Sequence, residues 1–223
     1  MWYAKPSGGY IMSSTEGTNN IYEMHYWMDA AGYTLEAQAA VVANCYNESA
    51  LNPWRWQGDV VNYAAGYGLF QFTAARDYID GCSWVDDYAP NLATGYITAG
   101  AAPHDGNAQM DVLVNDYLSK WVGTCWRDYW AYDSYLAGLR NTILNTWGSG
   151  SYISQSQFAD IDDLECALFC FFACYEGPYY ISDYYARVDD VYTAYSILGG
   201  SPPAPHGLPI WFLFKMKELN FKR

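Results

Sequence analysis

Between Thr34 and Glu48 the apolar residues Leu35, Ala39, Val42 and Tyr46 recur at helical spacing, and the run stops in Asn47-Glu48-Ser49-Ala50-Leu51-Asn52-Pro53. Such a segment folds as one helix, which Thr34 caps and whose positive first turn suits Glu36. The pattern sets Glu48 in the last helical turn. There the partial negative charge of the helix end disfavours a carboxylate, and Trp54 and Trp56 just beyond are placed to desolvate it. A carboxyl group kept neutral in this way is suited to donate a proton.

The rest of the chain reads as further helices. Ser13-Ser14-Thr15-Glu16 looks like a capping box that opens a helix through Ile21, Met24 and Met28, stopped at Gly32. Met110, Leu113, Val114, Tyr117, Leu118 and Trp121 mark a helix over about 107–122, and another covers about 130–146. Phe158, Ile161, Leu164, Leu168, Phe172 and Tyr175 predict a near-central helix that delivers Tyr175-Glu176 at its end. Asp183 starts a last helix, with Tyr185, Val188, Val191, Tyr192 and Tyr195 inward, that ends at Gly199-Gly200. A short helix is expected from Thr73 to Asp80, and residues 81–106 read as an irregular excursion. Residues 52–72, rich in Gly, Asn, Pro and aromatics, read as a loop or small β-hairpin.

These elements predict a mainly α domain over residues 1–199. The prolines of Ser201-Pro202-Pro203-Ala204-Pro205-His206-Gly207-Leu208-Pro209 lack a donor and restrict their neighbours, so residues 200–209 read as a linker. Residues 210–223, apolar from Ile210 to Phe214 and then basic, form a C-terminal peptide: a docking strand, an interface segment or a surface anchor.

With 24 acidic and 11 basic residues the net charge is -13, which argues against a nucleic-acid partner, because phosphates demand a basic face. The aromatic content of 19% suits rings stacked on sugar faces and equally a structural particle component, so composition leaves both open. No signal peptide and no run approaching the ~20 apolar residues of a membrane span are expected. Cys166, Cys170 and Cys174 recur every fourth residue and read as buried free thiols, while Cys82 and Cys125 are not expected to pair. His25, His104 and His206 show no metal-ligand spacing, so neither a metal nor a cofactor is expected.

Nineteen residues on from the first residue of Asn47-Glu48-Ser49-Ala50-Leu51-Asn52-Pro53 comes Gly66-Tyr67-Gly68-Leu69-Phe70-Gln71-Phe72-Thr73. A glutamate-serine pair ending an apolar helix, followed by a glycine-hinged Gly-Leu-X-Gln turn, resembles goose-type lysozymes and lytic transglycosylases. Gly9-Tyr10, Ser14-Thr15-Glu16, Asn20, Gly32-Tyr33-Thr34, Asn44, Asn52-Pro53-Trp54-Arg55-Trp56-Gln57 and Tyr175-Glu176-Gly177-Pro178 narrow the likeness to the tail-tip lysozymes of bacteriophages, over about residues 2–198. Ala43, Phe72 and Gly177 depart from the family pattern, in which glycine, tryptophan and arginine are usual.

The resemblance implies a lysozyme-like helical domain with a small loop or hairpin over a cleft that holds a peptidoglycan glycan strand, carried by a virion among other phage tail proteins. Glu48 is then the general acid, and Ser49, Trp54, Trp56, Tyr67, Phe70, Gln71 and Tyr175 are the residues expected near the sugars. For Trp54, Trp56, Gln71 and Tyr175, a core or backbone-bonding role stands open beside the sugar-binding one. Asp59 is the best candidate for a second carboxylate, since an inverting enzyme needs a base about 6.5–9.5 Å from its acid. Without one, the substrate's own acetamide or hydroxyl does that work and the enzyme is a transglycosylase. A cysteine hydrolase built on Cys45 and His104 fits poorly, because Cys45 lies near a helix's end, where the dipole disfavours a thiolate. A tail or wall-binding module that keeps the fold without the chemistry is the non-enzyme alternative.

Overall fold

The structure is a computed structural model that describes residues 1–79, 104–115, 121–124, 133–177 and 180–200. It is mainly helical, with α1 over Thr15–Ala30, α2 over Leu35–Ser49, α3 over His104–Asn115, α4 over Ser134–Thr146, α5 over Gln155–Ala159, α6 over Leu164–Phe171 and α7 over Ser182–Ile197. Cys82, Cys125, Asp80, Pro178 and everything from residue 201 on, hence both the linker and the C-terminal peptide, lie outside the described residues.

Short polar side chains set most of the helix starts by accepting the free N–H groups of the first turn. Thr34 caps α2 through Ala37 N, Asp133 caps α4 through Tyr135 N and Leu136 N, and Asp163 caps α6 through Cys166 N. The capping box expected at the start of α1 is absent there: Ser14 is the cap, and the residue three beyond it is Gly17, with no side chain to return the bond. Gly17 is required for space, since a Cβ on it would fall 2.0 Å from Ile11 O. The reciprocal box occurs instead on α5, between Ser154 and Gln157.

The core is built around α2. Every residue from Ala37 to Cys45 is at most 1% exposed, so this helix is covered on all sides, mainly by α6 and α7. Its alanines at positions 37, 39, 40 and 43 allow the close approach. All of α6 is buried as well, and a π-helical turn, Phe172–Glu176, extends it to Gly177 in the left-handed region. The single helix expected from Phe158 to Tyr175 is therefore α5, a short link and α6. The apolar spacing looked continuous because Ile161 in the link is as buried as its helical neighbours.

On α7 the inward stripe is Tyr184, Arg187, Val188, Val191 and Ala194, while Tyr185, Tyr192 and Tyr195 lie half-buried at its edge. Their hydroxyls explain the shift, because Tyr185 donates to Asp133, Tyr192 to Glu165 and Tyr195 to Glu36, a need best met at the rim of the core. The expected helix after Thr73 is only a 3-10 turn, Ala75–Asp77. Residues 56–72 form the small hairpin-like region, with isolated antiparallel bridges between Trp56 and Tyr67 and between Tyr67 and Phe72. Cys45, Cys166, Cys170 and Cys174 are buried free thiols. Among the described residues no helix is long and apolar enough to cross a membrane.

Candidate active site

The chain leaves α2 abruptly. Ser49 is its last residue, and Ala50 and Leu51 follow with φ of 50° and 60°. A side-chain-bearing residue in this left-handed region costs about 1–2 kcal/mol, and such strain persists where the surroundings over-determine it. Here they do. Tyr10 N donates to Ala50 O at 2.8 Å, and the fully buried Asn52 holds the same N-terminal strap through Lys5 O at 2.8 Å and Gly8 O at 2.7 Å. Glu48 thereby sits two residues before a fixed corner.

Its carboxylate meets a cation. Arg187 Nη2 donates to Glu48 Oε1 at 2.5 Å, with the Glu48 side chain 28% exposed and that of Arg187 only 6%. Arg187 is itself pinned, with Nη1 on Asp183 O at 2.7 Å and its guanidinium 5.1 Å over the Phe172 ring. Next to Glu48, Ser49 Oγ donates at 2.9 Å to the backbone oxygen of Cys45, one turn earlier in α2. Burial, and then the nearby carboxylates of Glu176 and Glu48, push the Cys45 thiol well above its ordinary value. Cys45 is therefore an inert thiol behind the acid, and no cysteine nucleophile forms there.

The glutamine turn is clamped from α3. Gln109, fully buried, accepts from Leu69 N at 2.6 Å and donates to Pro53 O at 2.7 Å, tying both arms of the loop to one side chain. Gly68 is required at this contact: its φ is 78°, and a Cβ would lie 2.3 Å from Gln109 Oε1. Gln71, half-buried at φ 45°, donates Nε2 to Gly68 O at 3.0 Å and to Arg55 O at 3.3 Å. Its amide nitrogen thus holds the loop backbone.

Asp59, with φ 57°, lies beside the N-terminal strap. Its Oδ1 accepts from Gly8 N at 2.7 Å and stands 3.5 Å from Arg55 Nε. The bonds of Glu48 and Asp59 lead to different partners, α7 for the one and the strap and loop for the other.

Several residues expected beside the sugars are core in this structure. Trp56 is 4% exposed with its ring against Tyr63 and Tyr67, and Tyr67 and Phe70 are at most 1% exposed. Tyr175, 6% exposed, stacks on Phe171 at 4.7 Å and meets the edge of Phe70 at 5.6 Å, while Ser49 is fully buried. These groups shape the wall from behind, since a ring covered on both faces offers none to a sugar. Glu48, Asp59, Trp54 and Gln71 keep partial exposure.

The site residues that sequence reasoning missed are Arg187, Gln109 and Asn52. Arg187 had a signal: a cation in register with Tyr184, Val191 and Ala194 on an apolar helical stripe, in a chain with only 11 basic residues. Gln109 had none, because one glutamine on a helix looks like any solvated side chain until the loop it holds is in place.

Known proteins bear on this geometry. A family model for phage tail lysozymes matches residues 18–190. The chain is also 32% identical over 87 residues to "Morphogenesis protein 1" of Bacillus phage B103, a match that spans 39% of this chain and only 22% of that protein's length. Because the matched region takes in Glu48, the glutamine turn and Arg187, and spans most of the chain, this protein belongs to the phage tail lysozyme family, whose members are lysozyme-like and peptidoglycan-lytic.

Proposed function

We propose that the protein is a muramidase in which Glu48 donates a proton to the bridging oxygen of the β-1,4 bond between N-acetylmuramic acid and N-acetylglucosamine. The observation that carries this reading is the strained end of α2, which presents Glu48 as a partly exposed carboxyl group just past the fully buried stretch from Ala37 to Cys45. In hydrolysis the C1–O bond breaks as the proton arrives, a water oxygen joins C1, and the water's proton passes to a second carboxylate, for which Asp59 is the candidate. Half-exposed Trp54 and the loop held by Gln71 flank the strand. Membership of the phage tail lysozyme family supports a protein that is carried on the virion tail tip among other tail proteins and opens the cell wall.

One observation favours a second reading, lytic transglycosylation. Asp59 Oδ1 is already bonded by Gly8 N and approached by Arg55, which leaves it poorly placed as a base. In that reaction the C6 hydroxyl oxygen of the muramic acid attacks C1, and its proton returns to Glu48, giving a 1,6-anhydro end.

Glu48→Gln tests both readings, since it keeps the shape but removes the proton. Activity on purified walls should fall at least about a hundredfold, and a fully active variant overturns both. Digestion in heavy-oxygen water separates them. Hydrolysis labels a reducing-end muramic acid and makes Asp59→Asn nearly dead, whereas transglycosylation yields an unlabelled anhydro end and spares that variant.

A further inference from the structure

The ion pair at Glu48 uses only part of what Arg187 offers. A guanidinium presents Nε and Nη2 along one edge, spaced to take both oxygens of a single carboxylate. In this structure Nη2 holds Glu48 Oε1, while Nε on the same edge is buried and has no hydrogen-bond partner among the described residues. Nη1 is occupied by Asp183 O, and the Phe172 ring underlies the guanidinium, so the group cannot swing away to satisfy Nε elsewhere. A buried donor without a partner is unfavourable, and it marks the position of a group not yet present.

From this edge we infer that Arg187 is the receptor for a carboxylate borne by the muramic acid unit of the strand, and that this carboxylate displaces Glu48 when the strand binds. The inference rests on the muramidase reading and adds to it the feature of the substrate that the site selects. A carboxylate that engages Nε and Nη2 together outcompetes Glu48, which engages Nη2 alone. In a chain of net charge -13 an anionic substrate is repelled overall, so its carboxylate needs a specific cation, and Arg187 is a cation that already pairs with Glu48. Released from Arg187, Glu48 is free to take up a proton from hydronium in the surrounding solvent and to turn to the bridging oxygen. A neutral glycan has no group to effect the exchange, so Glu48 stays engaged on α7. The carboxylate has two possible sources on one sugar, the lactyl group of strands without peptide and the acids of the stem peptide.

The test compares rates on four substrates: strands stripped of peptide, the same strands methyl-esterified at the lactyl group, strands with stems intact, and neutral chitin oligosaccharides. The wild-type protein should cut stripped strands at least about tenfold faster than esterified ones, and chitin more slowly still. Arg187→Met should bring the free and esterified rates to within about twofold, chiefly through KM on the free strands, and Arg187→Lys should fall between because its ammonium is a point contact. Faster cutting of stem-bearing strands than stripped ones assigns the carboxylate to the peptide; the reverse assigns it to the lactyl group. Equal wild-type rates on free and esterified strands, with stem-bearing strands no faster, overturn the inference, and so does an Arg187→Met variant slowed equally on both. The wild-type comparison needs no variant and so does not depend on Arg187→Met folding, which thermal unfolding monitors. A wild-type protein that cuts none of the four refutes the muramidase reading instead.

Discussion

Gly9 lies against Ala50 so closely that a Cβ on it would come within 2.1 Å of the Ala50 Cβ and 2.9 Å of Ala50 O. The N-terminal strap therefore rests directly on the corner that follows Glu48, with the Tyr10 N bond to Ala50 O beside it. The strap is part of the site because it helps hold two residues in the left-handed region.

Gly9→Ala should push the strap off that corner. Overpacking at a contact of this kind typically costs about 1–3 kcal/mol, so the melting temperature should drop by several degrees. Wall-degrading activity should fall further than the lost stability explains, because Glu48 is positioned by the same corner. An unchanged melting temperature would show that the strap is not held there.

Gln109→Met keeps the volume but leaves Leu69 N and Pro53 O without their partner, and each unsatisfied buried group costs about 1–3 kcal/mol. Denaturant unfolding should show the loss. Gly68→Ala should be at least as damaging, since it combines a φ of 78° with a collision on the same glutamine. Activity should fail in both through the loop, with Glu48 itself untouched. A stable and active Gly68→Ala protein would refute this account of the clamp.

Alkaline pH should unfold the protein by way of its buried acids. Burial, followed by the nearby carboxylates, holds the Cys45 thiol well above its ordinary 9.0, and burial with neighbouring Tyr135 and Glu165 holds the Tyr184 hydroxyl well above its ordinary 10.0. The folded state keeps protons that the unfolded chain releases, so the stability these groups contribute is fully present below their ordinary values and is lost as pH rises beyond them. Melting temperature should thus be insensitive to them near neutrality and decline from about pH 9 upward. Iodoacetamide should leave Cys45 unlabelled in the native protein at neutral pH, and rapid labelling with loss of activity would revive a cysteine-based mechanism.

The elements that carry a strong local signal were legible without coordinates. The cap at Thr34 and the small apolar residues after it determine α2 and put Glu48 in its last turn, because hydrogen bonding at a helix start and the period of a helix are properties of neighbouring residues. The same holds for the end of α4 at Thr146, expected at about 146, and for the buried thiols of α6. The aromatic residues of the hairpin region carry no such local signal, since Trp56, Tyr67 and Phe70 have side chains equally able to face a sugar or a core, and only their packing on one another, on Tyr63 and Phe72 within the region, and on Phe171 and Tyr175 outside it decides between the two. Tertiary structure alone joined Arg187 to Glu48 across 139 residues of sequence, and Gln109 to Leu69 across 40. The amino-acid order determined which helix bears the acid, because that depends on local hydrogen bonding and periodicity. What faces the acid was decided by how α2, α7 and the glutamine turn pack, because a contact between distant residues exists only once the chain has closed around its core.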